Sequence, residues 1–184
     1  EHAKGRSELS VWCSASSTGE EPYSIAMTLC EAYGSLNPPV RIVATDIDTE
    51  VLQTAAAGIY PAERVAGLAA DQLRRFFLKG KGGQSGLVRV RPELRKLINF
   101  QPLNLLGRDW SLKPPFDVIF CRNVMIYFDK PTRKDILARF VPLMRPDGLL
   151  FAGHSENFLY VSDALRLRGK TVYELLQGRE GKRA

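Results

Sequence analysis

Two adjacent carboxylates, Glu20 and Glu21, stand in the stretch "SSTGEEPYS", between the apolar run "LSVWCSA" (9–15) and the helical "IAMTLCEAYG". A third, Asp46, follows the apolar run "VRIVAT". Strand, tight turn of small residues and helix together make the arrangement that receives a nucleotide-like ligand. The glycine pattern GxGxxG is missing, and acids stand where a pyrophosphate would need only backbone N–H groups. An acid at the end of the second strand can accept both hydroxyls of a ribose. A ligand with a ribose, no pyrophosphate and a cationic end fits this set, and S-adenosylmethionine joins ammonium, sulfonium and adenosine in one molecule. The small residues Ser14 to Gly19 let the backbone approach it closely. A purely local reading stands beside this one: Pro22 suits a first helical turn, Thr18 or Ser17 could cap it, and the helix dipole favours Glu20 and Glu21 there.

The elements that must position these groups follow from periodicity. Residues 21–34 carry apolar positions Ile25, Met27, Leu29, Ala32 and Tyr33, with Gly34 as a stop. "VRIVATDID" (40–48) predicts a strand, and residues 49–57 a helix that Gly58 ends. "FDVIFCRNV" (116–124) and "GLLFAGHS" (148–155) predict strands around a helix over 131–144, and "ALRLRGKTVYELL" (164–176) a hairpin turning at Gly169-Lys170. Alternating strands and helices predict an α/β, doubly wound, mostly parallel sheet with an antiparallel strand at or near one edge. Ligands of such sheets sit over the carboxyl ends of the strands, which directs attention to the loops after 15, 46, 103 and 121.

Residues 58–98 interrupt the alternation with an amphipathic helix, "AADQLRRFFLKG" (69–80), a glycine-rich turn "GKGGQSG" (80–86) and the alternating "LVRVR" (87–91), which reads as half of a small antiparallel hairpin. They predict a small β-subdomain inserted between the two parts of the sheet domain, 1–57 and 99–184. The insertion holds nine Lys/Arg against three Asp/Glu, 9 − 3 = +6, and the rest of the chain balances at 17 − 17 = 0. A charge excess so confined reads as a docking surface for an acidic partner or as a solvated face. The three cysteines, Cys13, Cys30 and Cys121, lie in apolar surroundings and read as core, without a disulfide framework. The chain shows no apolar run of about 18 residues, so the expectation is a cytoplasmic monomer without membrane insertion. The tail from Gly178 is basic and polar and is expected to be mobile.

The motifs "SSTGEEPYSIAM", "ATDIDTEVL", "GIYP", "NLL", "FDVIFCRNVMIYFDKPTR" and "RPDGLLFAGHSENF", in this order, resemble the chemotaxis receptor methyltransferases of the CheR type, over about Val11 to Leu176. The resemblance implies a Rossmann-like class I methyltransferase sheet and methyl transfer from S-adenosylmethionine to glutamate side chains on the cytoplasmic helices of chemoreceptors. It implies cofactor contacts at Glu21, Asp46, Asn104 with Leu105, and Arg122 with Asn123, and a methyl-facing Tyr127, with Arg122 and Tyr127 as the catalytic pair and no metal. On the residues alone, Asn104 also reads as a turn former and Tyr127 as an aromatic packed under the following helix. His154 is expected to hydrogen-bond structurally, because an ionised glutamate needs no general base. The resemblance also implies that 58–98 is the family's β-subdomain, which in some members tethers a receptor C-terminal peptide; the charge excess and the open edge of a short hairpin point to an acidic peptide, with Arg89 or Arg91 favouring its carboxylates. The family's N-terminal helical domain is expected to be absent from this chain, which leaves turnover by this chain alone open. Two other classes compete: an RNA methyltransferase, for which only Tyr60, Phe76 and Phe77 are available as stacking aromatics, and a non-catalytic module that senses the cofactor.

Overall fold

The computed structural model describes residues 7–158 and 161–176, so the expectation for the tail from Gly178 lies outside the described residues. In chain order the elements are β1 (Leu9–Cys13), α1 (Glu20–Ala32), β2 (Val40–Asp46), α2 (Thr49–Ala57), β3 (Ile59–Pro61), α3 (Ala70–Phe76), β4 (Phe77–Lys79), β5 (Leu87–Val90), α4 (Pro92–Lys96), β6 (Ile98–Pro102), β7 (Phe116–Cys121), α5 (Lys130–Phe140), β8 (Met144–Ala152), β9 (Leu165–Gly169) and β10 (Val172–Leu175). Seven strands form one sheet in the order β6-β2-β1-β7-β8-β10-β9. The first five run parallel, and β10 lies antiparallel between β8 and β9. Strand order reverses direction at β1, so the crevice above β1 and β7 is the topological switch point.

Each face of the sheet carries a core, and the alternation of β1 shows how; on the α1 face Val118, Phe120, Leu149 and Phe151 of β7 and β8 stay half-buried. Trp12 joins a core with Phe116, Ile119, Phe140 and Leu150, while its neighbours Val11 and Cys13 join the opposite core with Tyr23, Ala26 and Cys30. Trp12 is fully enclosed, edge-on to Trp110 and Phe140, and its indole N–H donates to Thr45 Oγ1 at 3.0 Å. Truncating it to alanine would cost about 3–5 kcal/mol. Helix α1 buries Tyr23, Ala26, Met27 and Cys30, the i, i+3, i+4 stripe of an amphipathic helix. The three cysteines are free and buried, as the sequence suggests, and burial pushes the Cys13 and Cys121 thiols well up.

The insertion folds as a three-stranded antiparallel sheet, β3-β5-β4. It is fastened to the large sheet through a shared core that includes Tyr60, Phe76, Phe77, Val90 and Leu94. The amphipathic segment does not stay helical to residue 80. It leaves the helix at Phe77, whose φ of −126° and ψ of 153° begin β4, because Phe77 and Val90 pair across the strands and bury together. Strand β8 begins four residues before the expected 148. Met144 pairs with Phe116 ahead of a register shift, and Gly148 fits that irregularity because a Cβ there would meet the carbonyls of Arg145 and Phe116 at 3.0 and 3.1 Å. The closing hairpin turns at Lys170-Thr171, one residue later than expected.

Candidate active site

The loop after β1 is fixed from β2. Asp46 Oδ2 accepts the N–H of Ser17 at 2.8 Å and Oδ1 accepts the N–H of Asp48 at 3.1 Å, while Ser16 N–H donates to Thr45 O. Ser17 adopts φ 46° and Gly19 φ 97°. At Gly19 a Cβ would lie 2.8 Å from Ala55 Cβ and 2.9 Å from the Tyr60 hydroxyl, so glycine is required there for space as well as for φ. Helix α1 starts at that glycine without a side-chain cap; Thr18 donates instead to Glu20 Oε2 at 2.6 Å, which corrects the expectation of a Ser17 or Thr18 cap.

The two adjacent glutamates part company. Glu20 turns outward to an ion pair with Arg64 of the insertion. Glu21 turns inward, where Arg122 Nη1 donates to its Oε2 at 2.8 Å. Burial pushes the Glu21 carboxyl up, and the Arg122 guanidinium opposes that rise.

At the carboxyl ends of β1, β2, β6 and β7 lies a cavity of about 540 Å³. Ser14, Ser17, Asp46, Asn104, Leu105, Arg122, Asn123 and Tyr127 line it, with Ile47, Leu103, Leu106, Val124 and Phe128 as its apolar surface. Six of the residues singled out in the sequence thus converge on one hollow. Glu21 is not part of this lining and borders the cavity only through Arg122; it lines a second groove, shared with Ile25, Leu29, Phe120 and Phe151.

Asn104 is the turn former its residue type allows: Oδ1 accepts Leu106 N–H at 2.9 Å, and its carbonyl accepts the N–H of Gly107 and the indole N–H of Trp110. Tyr127 stands in a 3₁₀ turn, Met125–Tyr127, and is 78% exposed rather than packed under α5. Asn123 adopts φ 58°. His154 is exposed in the turn after β8, and the structural hydrogen bonding expected of it belongs to Glu156, two residues on. Glu156 is 5% exposed and accepts the N–H groups of Asn123, Val124, Met125 and Gly153. Sequence reasoning passed over it.

The basic insertion divides in the same way. Arg75 donates to Cys30 O, Arg95 to Ala56 O and Arg91 to Arg74 O, and Arg64 pairs with Glu20. These four arginines tie residues 58–98 to one another or to α1 and α2. Arg74, Lys79, Lys81, Arg89 and Lys96 are exposed. Arg89 lies on the central strand between its register partners Ile59 and Leu78, each 40% exposed. Tyr60, Phe76 and Phe77 are buried, which removes the stacking platform an RNA-binding surface would use.

The model of the CheR methyltransferase SAM-binding domain matches residues 1–173. The chain belongs to the CheR methyltransferase family. Among its relatives, the "Chemotaxis protein methyltransferase" of Klebsiella aerogenes is 59% identical over 176 residues, 95% of this chain and 61% of that protein. The protein of the same name from Escherichia coli is 56% identical, over 95% of this chain and 62% of its own length. "Chemotaxis protein methyltransferase 2" of Pseudomonas aeruginosa is 58% identical, over 90% and 59%. This CheR-family chain therefore spans about 60% of the length of the curated relatives it matches. A TehB-like SAM-dependent methyltransferase from Corynebacterium glutamicum superposes with a TM-score of 0.53, over 95% of this chain and 84% of that one, at 12% identity; the two share the fold.

Proposed function

We propose that this chain binds S-adenosylmethionine in the cavity above β1, β2, β6 and β7 and, within the protein it belongs to, methylates glutamate side chains of chemoreceptors. The convergence of Asp46, Asn104, Leu105, Arg122, Asn123 and Tyr127 on one cavity, in a chain of this family, carries the reading. The donor set suits the cofactor. Asp46 supplies a carboxylate for ribose hydroxyls, and Glu21 with Arg122 offers one anion and one cation for a zwitterionic amino-acid end. Ile47, Leu103 and Leu105 supply an apolar slot for a purine, and Asn104, with Oδ1 held in its turn, keeps its amide N–H₂ for the purine edge. Ser14 places a buried hydroxyl on the cavity wall.

S-adenosylmethionine, when bound, supplies a methyl group already activated on a sulfonium. The incoming glutamate is ionised at neutral pH, so no residue of this chain needs to take a proton from it. The chain's part is to align, to exclude water and to tolerate the loss of two opposite charges. Tyr127, exposed at the cavity mouth, orients the incoming carboxylate through its hydroxyl. Arg122 sits at the same wall and holds the glutamate oxygen's approach electrostatically.

The insertion is the second part of the proposal: it docks an acidic, extended receptor peptide along an open edge of its sheet, at β3 or β4, with Arg89 favouring carboxylates. The RNA reading loses its support with the burial of Tyr60, Phe76 and Phe77. Transfer of a labelled methyl group to a receptor cytoplasmic fragment, with the label released by mild alkali as expected of a glutamyl ester, tests the reading. An alkali-stable product, or label on RNA only, overturns it.

A further inference from the structure

We propose that Glu156 is the positioning residue of this site, a buried carboxylate that sets the backbone between Arg122 and Tyr127. The inference rests on the cofactor reading of the cavity given above. Glu156 does not line that cavity, so it acts through its neighbours.

Its two oxygens take four backbone donors from two different loops. Oε1 accepts Met125 N–H at 2.7 Å and Val124 N–H at 3.0 Å; Oε2 accepts Gly153 N–H at 2.6 Å and Asn123 N–H at 3.0 Å. Four donors match the four lone-pair sites of an ionised carboxylate, and bonds of this kind are the stronger, charge-assisted type. The Glu156 N–H donates in turn to Gly153 O at 3.0 Å, which closes a small ring on the β8 side.

What the clamp holds is the strained part of the site. Asn123 sits at φ 58°, outside the range most side chains adopt, and the 3₁₀ turn that carries Tyr127 follows two residues later. The amides of residues 123–125 would otherwise be three donors without a helical acceptor. Bound to one buried anion, they fix where Arg122 leaves β7 and where Tyr127 enters the cavity mouth. Gly153 is part of the same fitting: a Cβ there would lie 2.7 Å from Glu156 Oε2 and 3.0 Å from Asn123 N. Glutamine cannot replace the carboxylate, because its N–H₂ would face two N–H donors.

The test uses this chain, its Glu156→Gln variant and, as an independent disturbance that keeps the carboxylate, Gly153→Ala. Amide hydrogen exchange without ligand should show that both variants lose protection at Asn123, Val124, Met125 and residue 153 while Val11 and Trp12 in β1 keep theirs. Titration with S-adenosylhomocysteine should show each variant binding about tenfold or more weakly, and the double variant binding no worse than the weaker single. Unchanged protection at the four amides, or protection lost across the whole sheet together, overturns the proposal. So does unchanged binding in a variant of a chain that binds. If Glu156→Gln does not fold, Gly153→Ala decides on the same readouts. A parent chain that binds no S-adenosylhomocysteine overturns the cofactor reading instead, and the exchange measurement then judges the clamp alone.

Discussion

Arg122 Nη1 donates to Glu21 Oε2 at 2.8 Å, joining the end of β7 to the first turn of α1 across the switch point of the sheet. The carboxylate is the better-buried partner, with 20% of its side chain exposed against 39% for the arginine. Burial raises the Glu21 pKa in spite of that partner, so its charge is lost at a higher pH than that of an ordinary glutamate. An ammonium ligand needs the ionised form, which exists above the raised pKa. S-adenosylhomocysteine affinity should therefore be full at neutral pH and fall on acidification, with the fall beginning above the ordinary glutamate range. Glu21→Gln should weaken neutral-pH binding by about 1–3 kcal/mol and flatten the profile. Calorimetry at a series of pH values checks both, and a variant with the parent's slope would remove Glu21 from the ligand's cationic end.

Asp46→Ala should weaken S-adenosylhomocysteine binding by about 1–3 kcal/mol through loss of charge-assisted bonds to ribose. The same change frees the N–H groups of Ser17 and Asp48, so a lower unfolding temperature should accompany it. Asp46→Asn keeps one acceptor oxygen for the loop and should recover more of the stability than of the affinity. Calorimetry beside thermal unfolding separates the two, and full affinity in the alanine variant would contradict the ribose assignment.

Tyr127 is 78% exposed, and its removal to phenylalanine should leave stability within about 0.5 kcal/mol of the parent. Turnover on a receptor fragment, measured in the protein that supports it, should fall more than cofactor affinity does. Affinity falling with turnover unchanged at saturation would make Tyr127 a wall of the cavity and not an orienting group.

Arg89 and Arg91 should separate on reversal of charge. Arg89→Glu should abolish binding of an acidic peptide, spare S-adenosylhomocysteine and leave the fold intact, because Arg89 stands exposed between Ile59 and Leu78. Arg91→Glu should lower thermal stability as well, since Arg91 is half-buried and donates to the Arg74 carbonyl. Peptide titrations at two salt concentrations test this, with weaker binding expected at higher salt. Undiminished peptide binding by Arg89→Glu would refute the tether.

How far these residues could be read in advance follows from the range of the forces involved. Helix α2 lies where local signals place it, with Asp48 capping it through the N–H groups of Glu50 and Val51 and Gly58 ending it in the left-handed region, whereas β1 and β2 each stop two residues short of the expected 15 and 48. Asp46, Arg122 and Asn123 sit at strand ends, so topology alone brings them to the cavity. The end of α3 was not legible, because "RRFF" suits a helix until Val90 arrives from the next strand to bury Phe77. Counting charges in 58–98 could not tell Arg95, spent on a carbonyl of α2, from Arg89. Glu156 was hidden for a stronger reason. Three of its four partners are backbone amides about thirty residues away, and no side-chain type marks a backbone amide.

The chain's two tryptophans, Trp12 and Trp110, meet edge-on under the loop that follows β6. Trp12 is sealed from water, whereas Trp110 is half-buried, hydrogen-bonded to the Asn104 carbonyl and covered by the Arg139 guanidinium at 3.7 Å from the ring centre. The molecule thus contains its own optical gauge. Trp12, with no water contact, should contribute a blue-shifted emission that is lost when the core opens. Trp110, tied to the Asn104 carbonyl, should contribute a component whose colour and quenching shift when a ligand contacts that turn, a change that can be read without attaching a dye.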